Sequence, residues 1–306
     1  MIEYLLIIYC ILILLASLAG GWIPLLINLT HRRMEIAVSF VAGVMLGVAL
    51  LHMLPHALSG GATVQTVMLW LLGGFLVMFF TQRYFSYHHH GVPSEKSCDE
   101  LQHDPNEHEH AHGHQLSWSA AMVGLSLHSV IAGVALAASV EADRHDSCNA
   151  ALAGLAAFLV IFLHKPFDSM TIGTLMAVGN RPTGMRHLVN GLFALAIPLG
   201  ALLFHVGLLS TTQEPSLVVQ YALAFSAGTF LCISLSDLLP ELHFHQHDRF
   251  KLSTALLCGL LLAWGISIFE AKTHSHDHAD GHIIAPSQWE TPHDGKDQNQ
   301  EHGHSH

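Results

Sequence analysis

The chain has 306 residues, of which 51% are hydrophobic and 11% are charged, and its mean hydropathy is +0.42. These values indicate a membrane protein with several spans, for which no nucleic-acid partner is expected. The formal net charge of −11 comes largely from the loops and tail, so it says little about partners. The five cysteines are scattered and contain no C-x-x-C pair, which argues against a disulfide framework and a thiolate zinc site.

Eight apolar segments are long enough, or nearly so, to cross a bilayer. In chain order, spans 1 to 8 cover residues 4–29, 36–58, 64–85, 116–140, 150–178, 188–210, 217–240 and 252–270. The first lacks a basic leading region and is too long for a cleaved signal peptide. We therefore predict an all-α protein of the lipid bilayer with eight transmembrane helices.

The distribution of Lys and Arg predicts the orientation. Eight of them fall in the loops that follow spans 1, 3, 5 and 7, and three fall on the opposite side. Because basic loops tend to stay in the cytoplasm, both termini are predicted to lie outside. We expect an integral protein of the plasma (inner) membrane.

Spans 2 and 7 are similar to each other. Span 2 reads AGVMLGVALLHMLPHAL from Ala42, and span 7 reads AGTFLCISLSDLLPELH from Ala227, with Ala, Gly, three Leu and Pro at a fixed offset. Spans 1 and 6 likewise share an Ile-Pro-Leu triplet around Pro24 and Pro198. Because the paired spans run in opposite directions, the pattern predicts a 3+2+3 bundle with an inverted repeat, spans 1–3 against 6–8. A chance match between apolar helices is the alternative.

Two pairs of ionisable residues, each four residues apart and next to a proline, lie near one end of these spans. His52 and His56 in span 2 occupy the positions that Asp237 and Glu241 take in span 7. By the predicted orientation, the histidine pair lies towards the outside and the acidic pair towards the inside. We interpret them as ligands where a cation enters and leaves; ordinary solvated residues at the membrane interface are the alternative.

Spans 4 and 5 carry ionisable residues at their centres. His128 is the single one in span 4, and span 5 contains His164, Lys165 and Asp168. A short polar connector, 141–149, makes the two spans antiparallel neighbours, and at about 1.5 Å per residue it brings the two imidazoles to nearly the same depth. His164 and Asp168 share one helix face. Two His and one Asp are a metal-ligand set, which would justify polar groups at that depth; packing residues with satisfied hydrogen bonds are the alternative.

Histidines are also concentrated in two polar segments. We divide the chain into spans 1–3 (1–87), a disordered cytoplasmic loop with eight histidines (88–115), spans 4–8 (116–270) and a disordered tail with eight more (271–306). Imidazole-rich segments favour weak, exchangeable binding of Zn²⁺ and similar ions. Solubilising segments are the alternative.

Several short motifs together resemble the ZIP family of divalent metal transporters over residues 1–270. They are His128-Ser129-x-x-x-Gly133, His164-Lys165-Pro166-x-Asp168, GVALLHMLPHAL in span 2, SAGTFLCISLSDLLPE in span 7, LAIPLG in span 6 and the histidine-rich loop after span 3. The resemblance implies a 3+2+3 bundle that passes Zn²⁺ or a related cation into the cytoplasm. It also implies substrate ligands on spans 4 and 5.

Three positions depart from the two-metal members of that family. Ala132 stands where a carboxylate is usual, Lys165 where a carboxylate or amide follows the histidine, and Ile197 where a Glu precedes the proline. We therefore predict one transported metal, with the Lys165 ammonium standing in for the charge of a second. The predicted ligands are His128, His164 and Asp168, with Ser129 as a further candidate. If Lys165 pairs permanently with Asp168 instead, the metal site is disabled.

Two other functions stay open at this point. A zinc-dependent intramembrane hydrolase would use the same His and Asp residues with Ser129 or Ser169, although the set lacks an obvious general base. A metal sensor or buffer would use only the histidine-rich segments. We favour a transporter over an enzyme, with Zn²⁺ as the substrate; Fe²⁺, Mn²⁺ or Cd²⁺ as substrate and a homodimeric state remain open.

Overall fold

The computed structural model describes residues 2–22, 31–85, 118–146, 152–244 and 249–274. Every regular element in these ranges is a helix, and no strand occurs in them. Seven helices are long and apolar enough to cross a membrane, and an eighth is a shorter apolar helix, Tyr4–Gly20. This confirms the predicted all-α membrane protein. The two histidine-rich segments lie outside the described residues, apart from the first few residues of the tail.

The helices α1 to α8 correspond to the eight predicted spans. Six are single helices: α1 (Ile2–Gly20), α3 (Val64–Phe85), α4 (Trp118–Asp146), α5 (Leu155–Val178), α7 (Pro215–Phe244) and α8 (Arg249–His274). Helix α2 has three parts, His31–Val48, a π-helical turn Ala49–Met53 and a last turn Leu54–Leu58. Helix α6 has two parts, Thr183–Ala194 and Ala196–Ser210.

Prolines account for the irregularities in α2 and α6. Pro55 has no N–H to donate to the carbonyl of Leu51, and α2 widens into its π-helical turn just before this point. Ser267 of α8 supplies the missing donor, with its hydroxyl 3.0 Å from that carbonyl. In α6 the chain is interrupted one residue after Ala194, which lies four residues before Pro198. Each break therefore follows from a hydrogen bond that proline cannot make.

Helices pack most extensively in four pairs, α2 with α8, α3 with α7, α4 with the second part of α6, and α1 with α5. Glycines allow the backbones to touch, because a Cβ at these positions would overlap a carbonyl of the neighbouring helix. In the first two pairs the contacts are Gly43 with Leu256, Gly259 with Phe40, Gly74 with Phe225, and Gly228 with Leu71. Close backbone contact thus holds α2 against α8 and α3 against α7.

Helix α4 continues to Asp146, past its predicted end at residue 140, so the polar connector predicted from residue 141 begins too early. The reason is that Asp143 is satisfied inside the protein. Its carboxylate Oδ2 accepts a hydrogen bond of 2.7 Å from the N–H of Gly154, just before α5. Gly154 has φ +72°, a left-handed conformation that glycine adopts without strain. A carboxylate held in this way does not end the helix.

Two adjacent glycines in α3 test the role of close backbone contact. Gly74 faces the carbonyl of Phe225, whereas nothing lies within 4 Å of a Cβ built on Gly73. Both substitutions to Ala gain the same helix propensity, so their difference reports packing alone. We expect Gly74→Ala to lower the free energy of unfolding by about 1–3 kcal/mol relative to Gly73→Ala. Thermal denaturation of the two detergent-solubilised variants measures this, and equal stability would contradict the packing described.

Candidate metal site

His128 of α4 and His164 of α5 meet between their helices. Their Nε2 atoms are 3.3 Å apart, although the residues are separated by 36 positions in sequence. The two residues are 3% and 6% exposed, so water does not solvate their imidazoles freely. The structure therefore brings the two predicted histidines to the same depth, as antiparallel neighbouring helices require.

Asp168 lies one helical turn after His164 and completes the group. Its Oδ2 atom is 3.9 Å from the Nε2 atom of each histidine. Two atoms bound to one Zn²⁺ at about 2.0–2.1 Å in tetrahedral geometry lie roughly 3.3 Å apart, so a small closing movement suffices to bind an ion. Asp168 Oδ2 is buried and has no hydrogen-bond partner in the described part of the chain. We call His128, His164 and Asp168 the central triad.

A backbone contact sets the tautomer of His164. Its Nδ1 atom is 2.7 Å from the carbonyl oxygen of Val160. A carbonyl can only accept, so Nδ1 carries the proton and the lone pair on Nε2 faces the other members of the triad. Metal-bound histidines are commonly oriented in this way by a backbone carbonyl.

Lys165 lies beside the triad and contacts Ser129 and Phe193. Its Nζ atom donates to Ser129 Oγ at 2.5 Å and lies 3.5 Å from the ring centroid of Phe193. Among the described residues it forms no ion pair with Asp168. The hydroxyl of Ser129 in turn donates to the carbonyl of Leu125 at 2.7 Å. Ser129 therefore binds Lys165 in this arrangement, and the disabling Lys165–Asp168 pair is not seen.

A second group of three ligand atoms lies where α2 meets the end of α4. It consists of His52, His56 and Asp143, whose ligand atoms are all within 4.8 Å of one another. His56 Nε2 is 3.6 Å from Asp143 Oδ1, and the two imidazole centroids are 4.7 Å apart. We call these residues the α2–α4 cluster. The structure thus adds a carboxylate to the histidine pair that the sequence predicted.

Sequence reasoning missed Asp143 because it was assigned to a loop. A signal was present: Asp143 is 15 residues, or about four turns, after His128, so a continuous helix places both on a similar face. Asp237 and Glu241, the predicted exit ligands, lie on the last part of α7, where the side chains are outside the described residues. Their role stays a prediction.

Comparison with known proteins agrees with this architecture. A family model described as "ZIP Zinc transporter" matches residues 4–269. Zinc transporter ZIP9 of Xenopus tropicalis is 26% identical over 317 aligned positions, which cover 87% of this chain and 97% of that protein. Zinc transporter ZIP9-B of Xenopus laevis is 32% identical over 166 positions, covering 50% of this chain and 52% of that protein.

A plant protein shows a similar partial match. Zinc transporter 3 of Arabidopsis thaliana is 28% identical over 156 positions, which cover 49% of this chain and 43% of that protein. The chain therefore spans about half the length of several relatives it matches, whereas the family model extends over nearly all of its helices. The chain belongs to the ZIP zinc transporter family.

Proposed function

We propose that the protein carries divalent metal ions, with Zn²⁺ as the principal substrate, through the central triad and into the cytoplasm. The observation that carries this proposal is the buried convergence of His128, His164 and Asp168 from two adjacent helices. A lone carboxylate oxygen facing two imidazole nitrogens in a membrane core costs free energy unless a cation is expected there. The matched relatives named zinc transporters support the choice of metal.

The ligand set suits transport better than permanent binding. Structural zinc sites generally use four ligands and often thiolates, whereas the triad supplies two imidazoles and one carboxylate. An ion held by three ligands keeps an open coordination position, so water or the next ligand along the path can displace it. Binding of this kind repays part of the dehydration cost and still permits release.

The packing supports an inverted repeat, the basis for alternating access. When spans 1–3 are matched with spans 6–8, α2 corresponds to α7 and α3 corresponds to α8. The packed pair α2–α8 then corresponds to the packed pair α3–α7. Their contact glycines obey the same rule: Gly43 matches Gly228, and Gly74 matches Gly259, each pair being 185 residues apart. We propose that the repeat forms a frame against which α4 and α5 move.

Side-chain contacts follow the same offset. Ser267 of α8 donates to the carbonyl of Leu51 in α2. The residues 185 positions away from these two, Gln82 of α3 and Ser236 of α7, are also bonded, with the Ser236 hydroxyl 2.7 Å from Gln82 Oε1. A chance resemblance between apolar helices does not explain such matched contacts, which support the 3+2+3 arrangement.

Lys165 supports a site for one ion rather than two. Ala132 and Ile197 are fully buried apolar residues, so neither offers a ligand for a second metal. Lys165 is also fully buried, and its bond to Ser129 and its place over Phe193 hold the ammonium beside the triad. We propose that this fixed charge replaces a second cation and helps to expel the transported one.

The side-chain contacts favour transport over hydrolysis. The hydroxyl of Ser129 binds Lys165 and the carbonyl of Leu125, and that of Ser169 lies 2.7 Å from the hydroxyl of Ser17. Both hydroxyls are therefore bonded to protein groups, and neither is placed to activate a water molecule bound to a metal in the triad.

The charges of the loops support an orientation with both termini outside the plasma (inner) membrane. In this orientation His52 and His56 lie on the outer side, and Asp237 and Glu241 lie on the inner side.

Removal of the triad tests the proposed route. The double variant His164→Ala, Asp168→Ala deletes two of three ligands, so we expect ⁶⁵Zn²⁺ uptake into proteoliposomes to fall at least tenfold. His205→Ala is the matched control, since His205 is a half-buried histidine of α6 outside both ligand groups. Uptake that persists in the double variant, at equal reconstituted protein, would contradict the site.

Replacement of Lys165 tests its proposed effect on the ion. Because the ammonium repels a cation in the triad, Lys165→Met should bind Zn²⁺ several-fold more tightly and release it more slowly. We expect a lower half-saturating zinc concentration together with a lower maximal uptake rate. Lys165→Arg keeps the charge and should change affinity less. Weaker binding in Lys165→Met would contradict the proposed role.

Deletion of the histidine-rich segments separates transport from sensing or buffering. A chain without residues 88–115 and 271–306 retains both ligand groups that the structure describes. We expect zinc flux at saturating concentration to stay within about twofold of the full chain, with a change in affinity or regulation only. Complete loss of flux in a well-folded deletion variant would instead favour the sensor or buffer.

A further inference from the structure

The α2–α4 cluster resembles the central triad in its burial and in its ligand types. His52 is 3% exposed and Asp143 is 7% exposed, whereas the His56 side chain is 19% exposed. Two imidazoles and one carboxylate favour Zn²⁺ and similar borderline ions over Mg²⁺ or Ca²⁺, which prefer oxygen ligands. The cluster therefore has the composition of a transition-metal site.

The π-helical turn of α2 contributes to this arrangement. His52 lies within the turn, and Pro55 follows it before His56. The widened backbone is stabilised from outside the helix by the hydroxyl of Ser267 on the carbonyl of Leu51. Short π-helical segments cost stability and are frequent at functional sites, which is consistent with a ligand role for His52.

Asp143 connects the cluster to α5 through its two carboxylate oxygens. Oδ1 faces His56 at 3.6 Å, and Oδ2 accepts the N–H of Gly154 at 2.7 Å. Gly154 is the N-terminal cap residue of α5, and a Cβ there would overlap Val140 of α4. The carboxylate thus holds the start of α5 against α4 while presenting its other oxygen to the histidines.

The cluster and the central triad are too far apart to share one ion. Asp143 is 15 residues after His128 along α4, which corresponds to about 22 Å. Gly154 is ten residues before His164 on the α5 side, or about 15 Å. Ions at the two places would therefore bind independently, with α5 as the physical connection between them.

We propose that His52, His56 and Asp143 form a second divalent-cation site, which on binding Zn²⁺ or a similar ion fixes the start of α5 to α4. Metal binding draws the carboxylate into a rigid group with the two imidazoles, and its remaining oxygen holds the Gly154 N–H in place. The site then orders the helix that carries two members of the triad. Any effect of this second site on metal binding at the central triad rests on the proposed function, whereas the binding of an ion to the α2–α4 cluster does not depend on it.

Hydrogen exchange measured by mass spectrometry tests this proposal on the full chain in lipid nanodiscs. Peptides covering residues 141–158 report the Gly154 N–H separately from the histidine-rich segments. We expect added Zn²⁺ to slow exchange in these peptides. Asp143→Asn retains an oxygen for Gly154 but loses the charge, so half-maximal protection should need about tenfold more Zn²⁺ or more.

Three further variants make the result specific. Glu141→Gln removes a carboxylate two residues away that pairs with Arg144, and it should keep the normal response. His56→Gln leaves the Asp143–Gly154 bond intact and should lose the response. In the double variant His164→Ala, Asp168→Ala, protection at the cluster should persist although transport is lost.

The outcomes separate this inference from the proposed function. Protection that is unchanged in both Asp143→Asn and His56→Gln, or lost equally in Glu141→Gln, would overturn the second site. Protection that disappears in the double variant would show that the central triad causes it, and would also overturn the inference. Failure of the double variant to lose uptake would instead count against the transport site and leave the cluster result standing.

Discussion

The placement of two imidazoles and a carboxylate inside an apolar helix bundle is the constraint on which the rest of the structure depends. The carboxylate oxygen of Asp168 lies 3.9 Å from the nitrogens of His128 and His164 and has no hydrogen-bond partner among the described residues. Burying such a group costs free energy that apolar packing must offset. We propose that a divalent ion removes this cost when it binds, so that the affinity of the site arises from polar groups that the fold keeps unsatisfied.

Close helix packing supplies the rigidity that this constraint requires. Glycines at the α2–α8 and α3–α7 contacts bring backbones together, and the matched offsets support two related halves around α4 and α5. The Lys165 side chain contacts Ser129 and Phe193 and forms no ion pair with the triad carboxylate among the described residues. We propose that the three triad side chains thereby remain available to an ion while the surrounding helices stay packed.

Hydropathy and helical spacing predicted much of this arrangement. The eight spans follow from apolar length, and the meeting of His128 with His164 follows from equal depth in antiparallel helices. The contact of Lys165 with Ser129 could not be predicted, because the sequence does not determine which of two nearby acceptors, Ser129 or Asp168, a long flexible side chain will reach. Asp143 was missed because a polar residue at the end of a span resembles a loop until its partner, Gly154, is known. Pro198 signalled an irregularity in span 6, yet the position of the break depends on tertiary packing.

The most direct test of the central claim is anomalous diffraction at the zinc edge from crystals of the full chain grown with Zn²⁺. The account predicts a peak between the Nε2 atoms of His128 and His164 and the carboxylate of Asp168, about 2.0–2.2 Å from each. Zinc peaks elsewhere in the protein, with none at the triad in a conformation that keeps the three side chains together, would contradict it.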